Sequence, residues 1–402
     1  MQKKTIAILT GGGDTPALNA SIKNIRDNAV SMGYTVYGVR EGWKGLLGEG
    51  DIVDITDIDI NATSGGTFLR SSRTNAFNDN PEKDRSKELI ANLSRYKIDV
   101  LVAIGGDDTI GAAKQLYEQY KFPVIAFPKT IDNDLRTKTY HTINDDKKEV
   151  VLCPGFPTAA QAIVDFTNRV KTYSQSHSRV LVLEVMGRDA GWLTGAATYA
   201  GADFALIPEL DMTIEHKASF IKQVQEAYKK SKSGYIIIAV AEGVKWYNKK
   251  LDQPVFVHAS SELDAFGHPA FGGVSGVIAA DIKNATDLPA KGIISGFYAR
   301  SGSCGEYDMK LTKVLSDKIA LMLKEEDFGK MPVMDKITSY EDLKLENCST
   351  IALPDVGNRP LNMDYYNKEK FTFNEKYIDF LSNIIQHNDD NMFDIDLPKV
   401  TV

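Results

Sequence analysis

Two neighbouring acidic residues, Asp107 and Asp108, follow a pair of glycines at the end of an apolar run, DVLVAIGGDDT. Glycine leaves backbone N–H groups open to a phosphate group, and a carboxylate beside them can hold magnesium. Magnesium is a hard cation that takes oxygen ligands and keeps phosphates as co-ligands. An Asp at such a position can also cap the N-terminus of a helix. The stretch therefore indicates a magnesium and phosphate site, a helix cap, or both.

A second glycine-rich stretch, GGGDTP from Gly11 to Pro16, follows the first apolar run and opens a helical pattern. The N-terminus of a helix favours negative charge, so the stretch is a candidate phosphate loop. It is not a Walker A loop, because the pattern GxxxxGK[ST] does not occur in the sequence. It also lacks the third glycine of a dinucleotide-binding turn, whose place Pro16 takes. A tight turn without a ligand would explain the same glycines.

The stretch PKTIDND, from Pro128 to Asp134, also ends an apolar run. Transfer of a phosphoryl group to an alcohol needs a base for the hydroxyl proton and cations that offset the charge developing on the phosphate. Lys129, Asp132 and Asp134 supply both kinds of group within six positions. A polar surface turn is the alternative interpretation.

Further charged residues end or follow later apolar runs. They are the segment 186–188 (Met-Gly-Arg), Glu242 and Arg300. An arginine can bind a phosphate through two parallel hydrogen bonds, and a glutamate can accept hydrogen bonds from sugar hydroxyls. Arg70 and Arg73, in GGTFLRSSR, form another candidate anion site. Each of these residues taken alone is compatible with an ordinary surface position.

The elements that carry these residues follow one repeated pattern, a short β-branched run that ends in glycine and a polar residue before a helical pattern. Apolar residues at nearly every position predict strands buried on both faces, and hence parallel sheets with helices on each side. In open α/β sheets, ligands bind beyond the carboxyl ends of the strands, so we expect the charged residues to meet there. The runs are TIAILTGGGD, DVLVAIGGDDT, PVIAFPKTIDND, RVLVLEVMGRD and YIIIAVAEG, and the helical patterns cover 84–96, 110–121, 157–172 and 215–231.

The composition is typical of a globular protein in a reducing compartment. The 402 residues are 43% hydrophobic and 25% charged, and the length allows two or three domains. The net charge of -7 argues against a general nucleic-acid binder, but small anionic substrates remain compatible with it. The three cysteines show no paired or metal-binding spacing, and the apolar runs are too short to span a membrane. We therefore expect a cytoplasmic protein with no membrane and no nucleic-acid partner.

The order of the patterns predicts two domains and an extension. We place the first domain at 1–149 and the second at 150–300. A helix over 309–326, within the segment 301–329, is expected to pack back on the first domain. Residues 330–402 are expected to form an irregular C-terminal extension with a short helix near 374–387.

Several motifs together carry a resemblance to the 6-phosphofructokinases. The motifs GGGDTPALNA, GGDDT, PKTIDND, GFPTA, RVLVLEVMGR with AGW, AVAEG and the YAR of GFYARS occur in the order of that family, over about residues 5–325. The resemblance implies magnesium-dependent transfer of a phosphoryl group to the 1-hydroxyl of fructose 6-phosphate. It also implies an α/β fold of two three-layer domains with mainly parallel sheets and the active site in the cleft between them.

The roles of single residues follow from the resemblance, motif by motif. Asp132 is the implied base that accepts the 1-hydroxyl proton, Asp107 is the metal ligand for Mg²⁺, and Arg73 is the arginine that meets the transferring group. Arg300 is implied to bind the 6-phosphate. Arg179 matches an arginine that reaches the site of a neighbouring subunit, so we expect a homo-oligomer, either a dimer or a tetramer. The other implied substrate-binding residues are Gly12, Thr130, Ile131, Asp134, Met186, Gly187, Arg188, Glu242, Lys291, Phe297, Tyr298 and Ala299.

Two positions indicate pyrophosphate rather than ATP as the phosphoryl donor. Relatives that use ATP have glycine where this chain has Asp108 and where it has Lys129, whereas pyrophosphate-using relatives carry Asp and Lys there. A carboxylate at Asp108 would occupy and repel the place of a nucleotide's α-phosphate. Lys129 would put a positive charge near the pyrophosphate, whose leaving group lacks the contacts that a nucleotide provides. We therefore count Asp108 and Lys129 among the catalytic residues.

The chain departs from the family pattern at four places. Arg70 lies where many relatives have glycine before Ser-Ser-Arg, so the phosphate grip of the first domain is expected to differ. Phe297 stands where relatives often have His or Tyr, ARSGS replaces the commoner QRGG, and Lys291 falls where an Arg from the second subunit is usual. A lysine supplies only a point charge in place of a bidentate grip. The last three changes touch the 6-phosphate end, so sedoheptulose 7-phosphate is an alternative acceptor.

Three other functions stay open at this point. An ATP-dependent kinase of the same fold would tolerate Asp108, and a donor competition assay separates it from a pyrophosphate enzyme. A catalytically silent regulatory subunit would bind sugar phosphates, although Asp132, Asp107, Lys129 and Arg188 are all present together. A Rossmann dehydrogenase also begins with a glycine-rich turn, but the missing third glycine and the stretch PKTIDND argue against it.

Overall fold

The computed structural model describes residues 3–78, 80–137, 141–143, 146–148, 152–257, 271–335, 339–358 and 360–388. The end of the expected C-terminal extension, residues 389–402, lies outside the described residues. The helices within these ranges are α1 (Leu18–Ser31), α2 (Ser86–Arg95), α3 (Asp107–Tyr120), α4 (Phe156–Ser176), α5 (Trp192–Tyr199), α6 (Ile214–Lys230), α7 (Val274–Thr286), α8 (Glu306–Glu325) and α9 (Glu375–Ser382). The strands are β1 (Thr5–Thr10), β2 (Thr35–Val39), β3 (Ile52–Asp54), β4 (Val100–Gly105), β5 (Val124–Pro128), β6 (Leu135–Thr137), β7 (His141–Ile143), β8 (Asp146–Lys148), β9 (Val180–Val185), β10 (Phe204–Leu206), β11 (Ile236–Ala241), β12 (Lys245–Asn248), β13 (Gln253–Phe256), β14 (Ala290–Ile294), β15 (Lys330–Met334), β16 (Cys348–Ala352), β17 (Val356–Asn358), β18 (Tyr366–Asn367) and β19 (Thr372–Phe373).

The chain divides into two compact units. The first unit consists of the described residues of Met1–Ala160 and Phe297–Pro360, and the second of those of Gln161–Ser260, Phe271–Gly296 and Leu361–Val402. Each unit is built around one mainly parallel sheet that is accompanied by helices. The expected α/β fold with mainly parallel sheets is therefore confirmed.

The sheet of the first unit has seven strands in the order β16-β15-β5-β4-β1-β2-β3. Its five inner strands run parallel, and the edge strands β3 and β16 are antiparallel to their neighbours. Strands β1, β4 and β5 are buried at every position, which is the reason that their sequences are almost entirely apolar. The residues that follow β5, β4, β1 and β2 lie along one side of the sheet, which we call the first carboxyl edge.

The sheet of the second unit has four parallel strands in the order β10-β11-β9-β14. Strands β9 and β11 are again buried at every position, as their apolar sequences predict. Aromatic residues from α6, β12 and the C-terminal segment complete the core beneath this sheet: Phe220 meets Trp246 and Phe371 edge to face. The residues that follow β9 and β11 form the second carboxyl edge.

The C-terminal residues contribute to both units. Strands β15 and β16 extend the first sheet beyond β5, so this part of the extension is regular. In the second unit, the backbone N–H of Ala205 donates to the carbonyl of Phe371 at 2.8 Å, and α9 packs against Trp192 through Tyr377 and Phe380. Helix α9 matches the short helix expected near 374–387.

Helix α8 lies against α1 in the first unit. Asn24 and Asn28 of α1 donate side-chain hydrogen bonds to Thr312 at 3.1 Å and to Asp317 at 2.9 Å. No helix in the described part of the chain is long and apolar enough to cross a membrane.

Candidate active site

The glycine-rich loop after β1 is shaped by its neighbours on the first carboxyl edge. The N–H of Gly11 donates to the carbonyl of Ile104 at 2.9 Å, which ties the loop to the end of β4. A side chain on Gly11 would place its Cβ only 2.4 Å from the hydroxyl oxygen of Thr109, so only glycine fits. Gly12 has a φ of 79°, in the left-handed region that glycine adopts without strain. The loop is therefore a narrow backbone turn beside the start of α3.

Asp107 and Asp108 form the first turn of α3, directly after β4. Gly106 holds the N-cap position without any side-chain cap, so neither acid occupies the capping position. Asp107 is exposed and Asp108 is half-buried. Carboxylates in a first turn are stabilised by the N–H groups and the positive end of the helix dipole. Both acids are therefore placed on the first carboxyl edge, at the end of the helix whose dipole favours negative charge.

Lys129 follows β5 and is almost completely buried, with 3% of its surface exposed. Its Nζ donates a hydrogen bond of 2.6 Å to the carbonyl of Gly13, so the ammonium group lies on the glycine-rich loop. Burial and then the nearby charge of Arg300 lower the pKa of Lys129 to about 8, although the carboxylates of Asp14 and Asp132 oppose this shift. The lysine is thus a buried cation held against the backbone of a candidate phosphate loop.

The segment Thr130–Asp134 is folded around the hydroxyl of Thr130. This hydroxyl donates to Asp134 at 3.0 Å and accepts from the backbone N–H of Asp132 at 3.0 Å. Asn133 has a φ of 50°, and its side-chain oxygen accepts from the N–H of Cys153 at 3.0 Å, which fixes the turn. Ile131 is buried and anchors the same turn in the core.

The pKa of Asp134 in this segment is affected by the charge of Asp132 and by that of Asp107 in α3. Burial, and then the negative charge of Asp132, raise the pKa of Asp134 to about 7. The charge of Asp107 acts in the same direction, although the hydrogen bond from Thr130 opposes it. Asp134 therefore binds its proton more tightly than an ordinary aspartate, because burial and the negative charge of Asp132 disfavour its charged form. Within the described ranges, no group of three or more His, Cys, Asp or Glu side chains is arranged to hold a metal ion by itself.

The loop that carries Arg70 and Arg73 is attached to the glycine-rich loop by side-chain hydrogen bonds. The hydroxyl of Ser71 donates to the carbonyl of Gly12 at 2.7 Å, and the hydroxyl of Thr10 donates to the carbonyl of Arg70 at 3.0 Å. Both arginines are exposed. The structure therefore brings both predicted arginines to the first carboxyl edge.

Arg300 also lies at the glycine-rich loop. Its guanidinium donates to the carbonyl of Asp14 at 3.4 Å, and a Cβ on Gly13 would come within 2.5 Å of its Nη1. The preceding residues form a 3₁₀ turn, Gly296–Ala299, in which Ala299 is buried while Phe297 and Tyr298 are 75% and 42% exposed. These four predicted residues belong to one short segment, and Arg300 is the member that contacts the glycine-rich loop.

The second carboxyl edge brings Met186, Gly187, Arg188 and Glu242 together. The N–H of Glu242 donates to the carbonyl of Val185 at 2.9 Å, so the end of β11 is joined to the end of β9. Gly187 has a φ of 143°, and a Cβ there would lie 2.7 Å from the carbonyl of Ala190. Arg188 pairs with its neighbour Asp189 at 2.6 Å. Glycine at position 187 thus lets the loop after β9 fold closely on itself, while Arg188 and Glu242 remain partly exposed.

Arg179 and Lys291 lie at the opposite, amino end of the second sheet. Arg179 directly precedes β9, and Lys291 on β14 pairs with Leu181. Both cations lie over the ring of Tyr173, at 5.2 Å and 5.8 Å from its centre. The Nη1 of Arg179 also donates to the Tyr173 hydroxyl at 2.9 Å. The sequence prediction assigned Arg179 to the site of a neighbouring subunit and Lys291 to a place where an Arg from the second subunit is usual. The structure separates both residues from Arg188 by the length of β9.

Several residues at these edges were not singled out by the sequence prediction. Asp14 belongs to the GGGD stretch, so its acid next to three glycines was a usable signal. Thr109 and Glu184 gave no signal, because a single Thr after two acids and a single Glu in an apolar strand are unremarkable. Glu184 is buried and accepts hydrogen bonds from the N–H groups of Gly273 and Ser275 at 2.9 Å and 3.0 Å, which fixes the start of α7.

Comparison with known proteins identifies what this chain is similar to. The family model of phosphofructokinase matches residues 5–323. A pyrophosphate–fructose 6-phosphate 1-phosphotransferase from Dictyoglomus thermophilum is 33% identical over 380 residues, which cover 93% of this chain and 100% of that relative. An ATP-dependent 6-phosphofructokinase 2 from Streptomyces coelicolor is 33% identical over 336 residues, which cover 82% of this chain and 90% of that relative.

The same fold is found among solved structures. The crystal structure of a pyrophosphate-dependent phosphofructokinase from Marinobacter aquaeolei matches with a TM-score of 0.75 at 21% sequence identity. The match covers 99% of this chain and 95% of that chain. Relatives named for pyrophosphate match this chain more strongly than the relatives named for ATP do.

Proposed function

The chain belongs to the phosphofructokinase family, and we propose that it transfers a phosphoryl group from pyrophosphate to the 1-hydroxyl of fructose 6-phosphate. The products are fructose 1,6-bisphosphate and phosphate. The reaction should run in both directions near equilibrium, because both phosphoryl donors have comparable transfer potential. We propose that the first unit binds the donor and magnesium and that the second unit binds the sugar phosphate. A cytoplasmic location stays a prediction from the sequence.

The observation that carries the choice of donor is the position of Lys129. Its buried ammonium group lies on the carbonyl of Gly13, within the loop whose backbone would receive a phosphate. A buried cation attracts a compact, highly charged anion strongly, because the attraction is weakly screened away from water. The half-buried carboxylate of Asp108 lies on the same edge, where it would repel the additional phosphate of a nucleotide. This combination of charges supports pyrophosphate over ATP.

Asp132 is proposed as the base that accepts the proton of the acceptor hydroxyl. Two neighbouring carboxyl groups can act as acid and as base when their surroundings give them different pKa values. Burial and the negative charge of Asp132 raise the pKa of Asp134 to about 7, so we take Asp132 as the candidate base of the pair. The hydrogen bond from the backbone of Asp132 to Thr130 holds that carboxylate's loop in place.

The donor set on the first carboxyl edge fits magnesium. The carboxylates of Asp107 and Asp108 offer only oxygen atoms, which is the chemistry that magnesium selects. Magnesium is usually bound by one or two carboxylates together with substrate phosphates, so a complete protein cage is not required. We propose Asp107 as the ligand. When bound, the ion would offset part of the negative charge of the phosphates. Arg73 and Lys129 would supply further positive charge from the protein.

The substrate-binding role of the second carboxyl edge rests on Arg188 and Glu242. An arginine and a carboxylate on adjacent parallel strands offer donors for a phosphate and acceptors for sugar hydroxyls. Arg300, together with Phe297, Tyr298 and Ala299, is proposed to complete the recognition of the sugar phosphate. Arg300 also contacts the glycine-rich loop, so a variant of Arg300 tests whether it binds the sugar phosphate or the donor.

A homo-oligomer is proposed from the position of Arg179 and Lys291. The six residues of β9 span roughly 20 Å, so cations at its amino end are out of reach of a substrate at its carboxyl end. Two cations held on one tyrosine ring form a basic surface that suits a phosphate bound by another subunit. This arrangement supports the proposal that Arg179 serves a neighbouring site.

A donor comparison tests the proposed function. The purified chain with magnesium is supplied with pyrophosphate or ATP, and with fructose 6-phosphate or sedoheptulose 7-phosphate as acceptor. We expect turnover of fructose 6-phosphate with pyrophosphate and little turnover with ATP. Turnover with ATP alone would show an ATP-dependent kinase. Binding of sugar phosphates without any turnover would show a silent regulatory subunit.

A variant sharpens the donor test. Asp108→Gly removes the carboxylate from the first turn of α3 and is expected to raise turnover with ATP relative to pyrophosphate. Glu215→Gly is the matched control, because Glu215 is an exposed acid in the first turn of α6 in the second unit. The control should leave the donor ratio unchanged. An unchanged ratio in Asp108→Gly would remove the explanation based on Asp108.

A further inference from the structure

Arg70 has an unusual backbone conformation for an arginine. Its φ of 62° lies in the left-handed region, where a Cβ atom crowds the backbone and glycine is favoured. Non-glycine residues in strained conformations persist where the surrounding structure holds them, and they concentrate at ligand sites.

The surrounding structure holds Arg70 through the glycine-rich loop. Its carbonyl accepts from the Thr10 hydroxyl at 3.0 Å, and its N–H donates to the carbonyl of Thr67 at 3.1 Å. The next residue, Ser71, donates its hydroxyl to the carbonyl of Gly12 at 2.7 Å. The backbone on both sides of the arginine is therefore fixed to the loop that is proposed to receive the donor phosphates.

The side chain of Arg70 reaches away from the core. It is 64% exposed, and its Nη1 lies 3.9 Å from a carboxylate oxygen of Glu41, at the limit of an ion pair. Glu41 already has a closer partner, Lys44, at 2.5 Å. An arginine is therefore not needed to balance this carboxylate, and the pair with Glu41 does not explain why an arginine stands in a glycine conformation.

The position of Arg70 along the first carboxyl edge indicates which phosphate it would meet. Glu41 follows β2, the glycine-rich loop follows β1, and Asp132 follows β5, in the order β5-β4-β1-β2. Neighbouring strands lie about 4.8 Å apart, so the Arg70 side of the edge is roughly 14 Å from the Asp132 side. The transferred phosphoryl group must lie toward Asp132, where the acceptor hydroxyl is proposed to lose its proton.

We propose that Arg70 is a substrate-binding residue for the donor, and that its guanidinium binds the phosphate of pyrophosphate that leaves as inorganic phosphate. The inference rests on the proposed function. A guanidinium suits this role because it forms two parallel hydrogen bonds to one phosphate. The hydrogen bonds from Thr10 and Ser71 hold the backbone of this segment against the glycine-rich loop, and the exposed guanidinium is available to a ligand there.

The test compares three variants with the wild-type chain in both directions of the reaction. Arg70→Gly removes the guanidinium and keeps the backbone conformation without strain, so its Tm should equal or exceed that of the wild type. Its KM for pyrophosphate should rise about tenfold, as expected for the loss of a charge-assisted contact. In the reverse direction its KM for inorganic phosphate should rise likewise, while the KM for fructose 1,6-bisphosphate stays within about twofold. Arg70→Lys should show a smaller rise, because lysine keeps the charge and loses the fork.

Lys121→Gly is the matched control. Lys121 is also a cation with a left-handed backbone, with a φ of 53°, but it ends α3 while Asp107 and Asp108 begin it. The fourteen residues of α3 separate the two ends by roughly 20 Å. The control should leave every KM unchanged.

The possible results separate the two proposals. If the wild-type chain used ATP and not pyrophosphate, the proposed function would fail and the role of Arg70 with it. If the wild type used pyrophosphate and Arg70→Gly kept the wild-type KM for both pyrophosphate and inorganic phosphate, the role of Arg70 alone would be overturned. An equal rise of the KM for fructose 1,6-bisphosphate would also overturn it, since that result would place Arg70 on the transferred group or on the sugar.

Discussion

The carboxyl edges of the two sheets hold their polar groups in different ways. On the first edge, three loops are joined by hydrogen bonds, and a lysine and a carboxyl group are taken out of water, with pKa values moved to about 8 and about 7. On the second edge, Arg188 and Glu242 stay half-buried, and Arg188 pairs with an exposed neighbour. Charges removed from water and fixed in advance stabilise a transition state most strongly, whereas groups near water are suited to binding. The comparison therefore supports our proposal that the chemical step takes place at the first edge and substrate recognition at the second.

The largest effect is expected from Asp132 on the first edge. Asp132→Asn removes the proposed base and should lower kcat by about 10³, because general base catalysis contributes on the order of 10² to 10⁴. Glu242→Gln on the second edge should instead raise the KM for fructose 6-phosphate with a much smaller change in kcat. Steady-state kinetics with varied fructose 6-phosphate measure both. A large loss of kcat in Glu242→Gln with little loss in Asp132→Asn would reverse the assignment of the two edges.

The second prediction concerns one buried carboxyl group in each unit, Asp308 in the first and Glu184 in the second. Asp308 accepts hydrogen bonds from the N–H groups of Gly155 and Thr158 at the start of α4, as Glu184 does at the start of α7. Burial raises the pKa of Asp308 to about 6. The unfolded value is about 3.9, so the folded state binds this proton more tightly. The resulting stabilisation is present below pH about 4 and is lost as the pH rises through about 6.

Asp308→Asn should abolish this pH dependence. The shift corresponds to about 2 kcal/mol in the free energy of unfolding between pH 4 and pH 7. Urea unfolding of the wild type and the variant at both pH values measures it as a difference. Glu184→Gln is the control, since it leaves Asp308 in place and should keep the wild-type contribution of that group. The prediction fails if wild type and Asp308→Asn change in parallel with pH.

The third prediction concerns the buried cation of the first edge. Lys129→Met should reduce kcat/KM for pyrophosphate by about 10², because a buried charge opposite the donor is lost with little change in volume. In the wild type, kcat/KM should fall as the pH rises through about 8, where the ammonium group loses its proton. Arg188→Met on the second edge should keep that alkaline decline, because it leaves Lys129 unchanged. Retention of the decline in Lys129→Met would assign the titration to another group.

The smallest effect is expected from a change of Arg300. Arg300 is implied to bind the 6-phosphate of the sugar, yet it contacts the glycine-rich loop. We expect Arg300→Lys to raise the KM for fructose 6-phosphate by about tenfold and the KM for pyrophosphate less, since lysine loses the bidentate grip. Initial rates with each substrate varied in turn give both values. The opposite split would move Arg300 to the donor-binding set.

The sequence was most informative where apolar strands end in polar loops. The buried strands β1, β4, β5, β9 and β11 were all predicted, and so were helices α2, α3, α4 and α6 to within a few residues. The grouping of Asp107, Lys129 and Asp132 followed from the same reasoning, because the carboxyl ends of parallel neighbours meet at one edge. Strands β15 and β16 were missed within a segment expected to be irregular. Strand β15 forms by pairing with β5, which is distant in the sequence, and β16 forms by pairing with β15.

The apolar runs, the glycines at their ends and the charged residues that follow were sufficient to determine the α/β class, the family and the candidate residues. Those features depend on local periodicity and on the identity of single residues, which the sequence contains directly. Only the tertiary structure decided that Lys129 is buried against Gly13, that Arg70 takes a left-handed backbone, and that Arg179 lies at the far end of β9 from Arg188. Burial and strain are set by residues far apart in the chain, and local sequence carries no measure of the distances between them.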